Sequence, residues 1–215
     1  GFVPFIVGGT GFYFKAILHG LCSASPVDPE IRRKIQANLQ LHDRDGLYDR
    51  LSSCDPEAAS RIHPNDTYRV TRALEIFEIT GCPLSEYQKQ HGFMDNPFET
   101  LKICLHMDRK ILYERINQRV DLMIDAGLLE EVKSLLERGY SGDLKSMQSI
   151  GYRHMVEYIE GKRTWDETIF TLKRDTRRFA KRQLTWFRKD PDMLWKSPED
   201  ADVITEMVRN FLEAG

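Results

Sequence analysis

FVPFIVGGTGFYFKAILHGL, residues 2–21, is the stretch on which the fold turns. Residues 2–7 are apolar with Pro4 as the one interruption. A continuous apolar run of that length suits a strand buried on both faces, as in a parallel sheet. Gly8, Gly9, Thr10 and Gly11 follow at once, and residues 12–21 read as a short helix. Strand, glycine turn and helix in that order open an α/β domain. Backbone amides at such a turn, beside a helix N-terminus, can bind an anion, and Thr10 adds a hydroxyl. The plain alternative is a tight turn that needs glycine dihedrals. The turn matches neither GxxxxGK followed by Ser or Thr nor GxGxxG, so by itself it is no nucleotide fingerprint.

Moving outward, the character changes near Ser23. Ser25-Pro26-Val27-Asp28-Pro29 reads as a linker ending in a helix cap, with Asp28 capping, Pro29 at the first helical position and Glu30 in the first turn. Ile31, Ile35 and Leu39 follow at helical spacing, and Leu47 and Leu51 share the face of another short helix. Asp55-Pro56-Glu57 repeats the cap. Asn65-Asp66 starts a stronger helix with Val70, Leu74 and Phe77 on one face; Gly81 ends it and Pro83 prevents its continuation. Residues 24–98 therefore read as helices with no strand signal. Residues 101–107 alternate as a strand. Helices are predicted to end at Gly127, at Gly139 and at Gly161, and the longest covers residues 164–189. An edge strand at 193–195 and a closing helix at 198–214 complete the chain. The predicted architecture is an α/β core, residues 1–23 and 99–215, interrupted by a helical insertion at 24–98. One strand before the insertion and one after it would share a sheet. Two strands are too few to stand alone, so further strands are expected upstream of Gly1.

Composition narrows the class. Hydrophobic residues make up 41% and charged residues 30%, with a formal net charge of -2, which suits a soluble, largely helical protein and by itself suggests no nucleic-acid partner. The charge is uneven, however. Residues 173–189 hold eight basic residues and one acid, Asp175, and such local asymmetry matters more than the total. Cys22, Cys54, Cys82 and Cys104 form no CxxC pair, which argues against a zinc site of the usual spacing and against a disulfide framework. No apolar run approaches the ~20 residues of a membrane span. Residues 1–7 lack the basic region and cleavage site of a signal peptide. With no initiator Met, the sequence reads as cut from something longer.

Three groups of residues stand out chemically. Arg69 and Arg72, three apart on one helix face, join Tyr68 and Thr71 as donors suited to a phosphate or a base edge. A solvated face balanced by Glu75 and Glu78 is the alternative, and His63 beside it reads as a core or cap histidine rather than a catalyst. Arg119, four residues after Arg115, is placed to reach a diphosphate from the core edge, with pairing to Glu114 or Asp121 as the alternative. Arg174, Arg177 or Arg178, and Lys181 or Arg182 recur every three to four residues, with Phe179, Gln183, Trp186 and Phe187 among them. A basic helix bearing aromatic residues is what a surface that tracks a nucleic-acid backbone uses.

Together these segments resemble the tRNA dimethylallyltransferase (tRNA isopentenyltransferase) family. The resemblance runs nearly the whole chain: IVGGTGFYFKAILHGL at 6–21, DPEIR at 28–32, RIHPND at 61–66, RVTRALEIF at 69–77, TGCPLS at 80–85, IGYRH at 150–154 and TRRFAKRQLTWFRK at 176–189. It implies a P-loop-kinase-like parallel-sheet core with an inserted helical domain that grips the anticodon stem-loop. It implies transfer of a dimethylallyl group from dimethylallyl diphosphate to N6 of adenosine 37 in tRNA. Thr10 would then sit at the reaction centre, with Arg119, Gly8 and Gly9 on the diphosphate. Arg32, Tyr68, Arg69, Thr71, Arg72, Gln148, Gly151, Tyr152 and Arg153 would contact tRNA, supported more weakly by Arg178, Lys181 and Arg182. A cytoplasmic monomer without a membrane partner and with Mg²⁺ as cofactor is implied too.

One departure matters. The family's phosphate-binding loop and catalytic aspartate lie upstream of the strand that opens this sequence, where the Mg²⁺ ligands are also expected. The 215 residues alone are therefore expected not to prenylate tRNA unaided. The absence of the carboxy-terminal zinc finger of eukaryotic relatives implies a bacterial source. An adenylate isopentenyltransferase acting on free nucleotide is the nearest rival, though it would need neither the insertion nor RIHPND. A non-catalytic RNA-binding module and a helical scaffold with incidental charge are rivals of another class.

Overall fold

The computed structural model describes residues 3–20, 28–41, 44–92 and 98–214. Cys22 and the linker at 25–27 lie outside the described residues, as does the side chain of Leu39. The chain divides into two compact units, one formed by residues 1–11 with 100–215 and the other by residues 12–99.

The elements described in the second unit are all helices: α1 (Gly11–His19), whose first residue belongs to the other unit, α2 (Pro29–Leu41), α3 (Arg44–Cys54), α4 (Pro56–Arg61), α5 (Thr67–Thr80) and α6 (Leu84–His91). The expected caps are in place. Asp28 accepts from the amides of Glu30 and Ile31 at 2.8 and 3.2 Å. Asp55 accepts from Ala58 N at 2.9 Å, and its other oxygen takes Ser85 N at 2.9 Å, so this buried carboxylate ties α4 to α6. Asp66 caps α5 through Arg69 N, and Gly81 ends that helix at φ 70°, a left-handed value that suits glycine. His63 takes the part of a turn residue, its Nδ1 accepting from Asn65 N at 3.1 Å. The core gathers Ile35, Leu47, Leu51, Val70 and Leu74 between α2, α3 and α5.

The first unit holds β1 (Ile103–Leu105), α7 (Arg109–Asp125), α8 (Leu128–Glu137), α9 (Tyr152–Ile159), α10 (Trp165–Phe187), β2 (Leu194–Lys196) and α11 (Ala201–Ala214). The strands pair in parallel, Cys104 opposite Trp195. Lys102 bonds Asp190 at 3.0 Å and steers the chain into β2. α10 is the spine of the unit, packing against α7 and α9, which α8 also meets, and Val120, Val132, Met155 and Leu172 form the core among these four helices. Thr164 and Glu167 start it with a reciprocal capping box.

One expectation fails. Residues 3–8 form no strand, and the two-stranded sheet is built from β1 and β2, both after the helical insertion. The apolar run is laid open instead, with Phe5 69% and Val7 93% exposed. An extended segment becomes a strand only where a ladder partner takes its amides and carbonyls, and among the described residues none does. The described protein is thus mostly helical with a small parallel sheet.

Candidate functional site

The glycine turn is held by α10. Gln183 Nε2 donates to the carbonyl oxygen of Gly9 at 2.8 Å, and the Trp186 ring lies directly over Gly11. None of Gly8, Gly9 and Gly11 has a positive φ, so the turn does not need glycine dihedrals. The second and fourth positions need glycine for want of room. A Cβ on Gly9 would stand 2.3 Å from Gln183 Nε2, and one on Gly11 would stand 2.1 Å from Trp186 Cε3. Thr10 between them is exposed, as is Gly8.

Further back along α10, Asp175 organises the segment that contains Gln148, Gly151, Tyr152 and Arg153. Asp175 accepts from Arg153 at 3.2 Å, from His154 Nε2 at 3.3 Å and from Arg174 at 2.9 Å. His154 is buried, and its Nδ1 receives the Gly151 amide at 3.4 Å. Gly151 itself is buried at φ 103°, which a side chain would strain. Gln148 is exposed and bonds Gly142 O at 2.7 Å, while the Tyr152 hydroxyl bonds Glu131. The eight residues from Asp175 to Gln183 separate the two stations by roughly 12 Å along the helix.

Burial lowers the pKa of His154, and its hydrogen bond to Asp175 only partly offsets the effect, so the ring is neutral at pH 7. For Asp175, burial pushes the carboxyl up, but the bonds from Arg174 and His154 outweigh it and leave it below the ordinary range. A consequence follows for stability. Unfolded, His154 titrates near pH 6.5; folded, it resists the proton. The unfolded chain therefore takes up the proton first, and stability present above pH 6.5 is lost as pH falls toward the folded value. The slope is at most ~1.4 kcal/mol per pH unit. Urea unfolding between pH 7 and 5 should show that slope, and His154→Gln should flatten it. An unchanged slope in the variant would assign the titration elsewhere.

Arg119 stands apart. It is exposed on α7 and has no ion pair among the described residues. Asp121, its suspected partner, pairs with Lys173 at 2.6 Å instead. Asn117 and Asp121 face α10 through Arg177 and Lys173. Two residues along a helix is about 200° of rotation, so Arg119 points away from that interface, and no described interaction joins it to the glycine turn. On α10, Arg178, Lys181 and Arg182 are exposed. Arg178 reaches Asp175 only at 3.8 Å, Arg182 lies over the Phe179 ring, and Lys181 has no acid partner among the described residues.

The helical unit holds the other group. Glu75 is not part of a solvated face: its side chain is 1% exposed and receives Arg32 through Nε at 2.5 Å and Nη2 at 3.1 Å, and Arg72 at 3.1 Å. Burial pushes the Glu75 carboxyl up, and the two guanidiniums more than reverse it, so its pKa lies below the ordinary range. Tyr68 is exposed, Arg69 is exposed with Asp66 at 3.4 Å, and Thr71 is buried in α5, turned away from solvent. Sequence reasoning missed three organising residues: Glu75, Asp175 and Gln183. The signals were present. Glu75 follows Arg72 by one helical step, amid the apolar run of Ala73, Leu74 and Ile76; Asp175 is the lone acid in a basic stretch; and Gln183 is a neutral polar residue among cations. Among the described residues, no group of three or more His, Cys, Asp or Glu could hold a metal, and no helix is long and apolar enough to cross a membrane.

Comparison with known proteins adds the rest. A sequence model of the family described as IPP transferase matches residues 1–190. A tRNA dimethylallyltransferase of Desulfatibacillum aliphaticivorans is 49% identical over 209 residues, covering 97% of this chain and 68% of the relative. That of Desulfosudis oleivorans is 49% identical over 216 residues, covering 100% and 69%. The chain therefore spans about two thirds of the length of these relatives. Among solved structures, the full-length tRNA isopentenylpyrophosphate transferase of Bacillus halodurans aligns with a TM-score of 0.61 at 38% identity, over 95% of this chain and 65% of that one. A eukaryotic dimethylallyltransferase captured acting on tRNA aligns with a TM-score of 0.72 at 28% identity, over 96% and 56%.

Proposed function

The chain belongs to the IPP transferase family, and on that premise we propose that it serves the transfer of a dimethylallyl group from dimethylallyl diphosphate to N6 of adenosine 37 in the tRNA anticodon loop. A bond forms between N6 and C1 of the donor as the C1–oxygen bond breaks. The electron pair leaves with diphosphate, and N6 gives up a proton. The amine is a poor nucleophile because its lone pair is delocalised into the ring, so in-line positioning and stabilisation of the leaving group carry the rate. The adenine must also leave its stack.

In this reading Thr10 touches the reacting centre, with Gly8 and Gly9 beside the diphosphate and Arg119 as a free cation for it. Arg32, Tyr68, Arg69 and Arg72 on the helical unit are read as contacts to the anticodon stem-loop, as are Gln148, Tyr152 and Arg153 on the other, whereas burial keeps Thr71 and Gly151 from it. Arg178, Lys181 and Arg182 are read as weaker contacts to the same RNA. The core is read as P-loop-kinase-like, and the protein as a cytoplasmic monomer. Mg²⁺ is the expected companion of a diphosphate, but the described residues offer no ligand cluster for it, so no step is assigned to a metal here.

The observation that carries the reading is that Arg119, Lys181 and Arg182 stay exposed with no ion pair among the described residues, on a chain 49% identical to proteins of that name. Neither an adenylate isopentenyltransferase nor a non-catalytic RNA-binding module is favoured by those relatives. The test compares transfer to tRNA with transfer to AMP by the natural protein at its native length. Modification of tRNA alone is expected. Arg69→Ala with Lys181→Ala should raise KM for tRNA by roughly tenfold, since each removes one cation from the phosphate backbone and tenfold corresponds to about 1.4 kcal/mol for the pair. Equal use of AMP would sink the proposal.

A further inference from the structure

Gln183 and Trp186 are three residues apart on α10, hence on one face, and that face closes on the glycine turn. The Gln183 bond to the Gly9 carbonyl spans 174 residues of sequence. The two close approaches, at Gly9 and at Gly11, bracket Thr10 on both sides. Trp186 is itself braced, meeting the buried Phe187 edge-on with ring centroids 5.1 Å apart. There is also a directional consequence. The described peptide bonds are all trans. In a trans peptide the carbonyl of residue 9 and the amide of residue 10 point opposite ways. The bond that holds the Gly9 carbonyl on α10 therefore turns the Thr10 amide away from that helix.

We propose that Gln183 and Trp186 are positioning residues that fix the turn so that the Thr10 amide and hydroxyl meet the donor in register. This rests on the role for Thr10 given under Proposed function. Gln183 grips the carbonyl, and the indole sets the height of the backbone at Gly11. Neither side chain touches the substrate; both act through the turn. The sequence keeps glycine at 9 and 11 to admit them.

The test uses the natural protein at its native length, with dimethylallyl diphosphate and a tRNA anticodon stem-loop, and separates kcat from KM. Gln183→Glu keeps the shape of the side chain but replaces the donor with a carboxylate, which repels the Gly9 carbonyl. It should lower kcat by about 10- to 100-fold, the scale of a small misplacement at a reacting centre, with KM for tRNA within about twofold of wild type. Trp186→Ala should act likewise, and Trp186→Phe, which keeps a ring over Gly11, should recover most of the loss. A folded Gln183→Glu protein with wild-type kcat would overturn the inference, as would Trp186→Phe no better than Trp186→Ala. If Gln183→Glu does not fold, the Trp186 pair decides. A wild-type protein that transfers nothing would overturn the functional reading and this inference with it, whereas a neutral variant of an active protein overturns this inference alone.

Discussion

Glu75→Ala is expected to destabilise the helical unit by about 2–3 kcal/mol, and Glu75→Gln by about 1–2 kcal/mol. Removing one partner of a buried ion pair costs ~3–5 kcal/mol where the survivor stays buried. Here the survivors are two guanidiniums, 34% and 26% exposed, so water takes up part of the loss. What remains is two like charges facing each other with no carboxylate between them, and α2 loses its polar tie to α5. Glutamine keeps an acceptor oxygen and gives up the charge, hence the smaller cost. Urea unfolding followed by circular dichroism reads both, and a change under about 0.5 kcal/mol for Glu75→Ala would show that the triad is dispensable. The pH dependence has a definite sign. The folded pKa of Glu75 is depressed, so its contribution is present above the ordinary carboxylate range and is lost as pH falls below it through the folded value. Glu75→Gln should therefore reduce the acid sensitivity of the unit.

Gly11→Ala should cost about 1–3 kcal/mol as a case of overpacking, and should cost more in activity than in stability. Nothing in the backbone forbids alanine, since φ at Gly11 is not left-handed. The obstacle is the indole: three of its ring atoms would lie between 2.1 and 2.4 Å from the new methyl. A ring is not the far end of a flexible chain, so either Trp186 swings outward or the turn backs away. Trp186 is 39% exposed already, so the outward swing is open to it. Its fluorescence should then shift to the red. The turnover of the natural protein should fall by about 10- to 100-fold as Thr10 moves. Unchanged emission together with unchanged turnover would mean that the ring does not set the turn.

Much of the fold was legible because local chemistry decides it. Asp28, Asp55, Asp66 and Thr164 cap helices, and Gly81, Gly139 and Gly161 mark where helices end, because these residue types satisfy or release backbone groups at a fixed place. The parallel pairing of residues 103–105 with 194–196 combines a readable strand with one read a residue off. The first strand misled because an apolar run states only a need for cover. What covers it is a tertiary fact, and in residues 3–8 nothing described does so. The site was legible as a set of residue types and illegible as a set of partnerships. Arg72 could be assigned to a helix face, but only the fold shows that Arg32 meets the same carboxylate from 43 residues away. For the glycine turn, an anion site and glycine dihedrals are the two readings the sequence offers, while the close approach of Gln183 and Trp186 comes from the far end of the chain.

The Arg32–Glu75–Arg72 triad also changes how charge is counted on the face proposed for RNA. Two guanidiniums and one carboxylate sum to a single positive charge, with the negative member hidden beneath. A polyanion that meets this patch thus displaces about one counterion there, rather than the two that an inventory of arginines suggests. The guanidiniums spend part of their fork on Glu75, and those N–H groups are not available to a phosphate. The patch therefore trades strength of attraction for a fixed bearing, suiting a surface that must place one loop of a folded RNA more than one that must hold any RNA tightly.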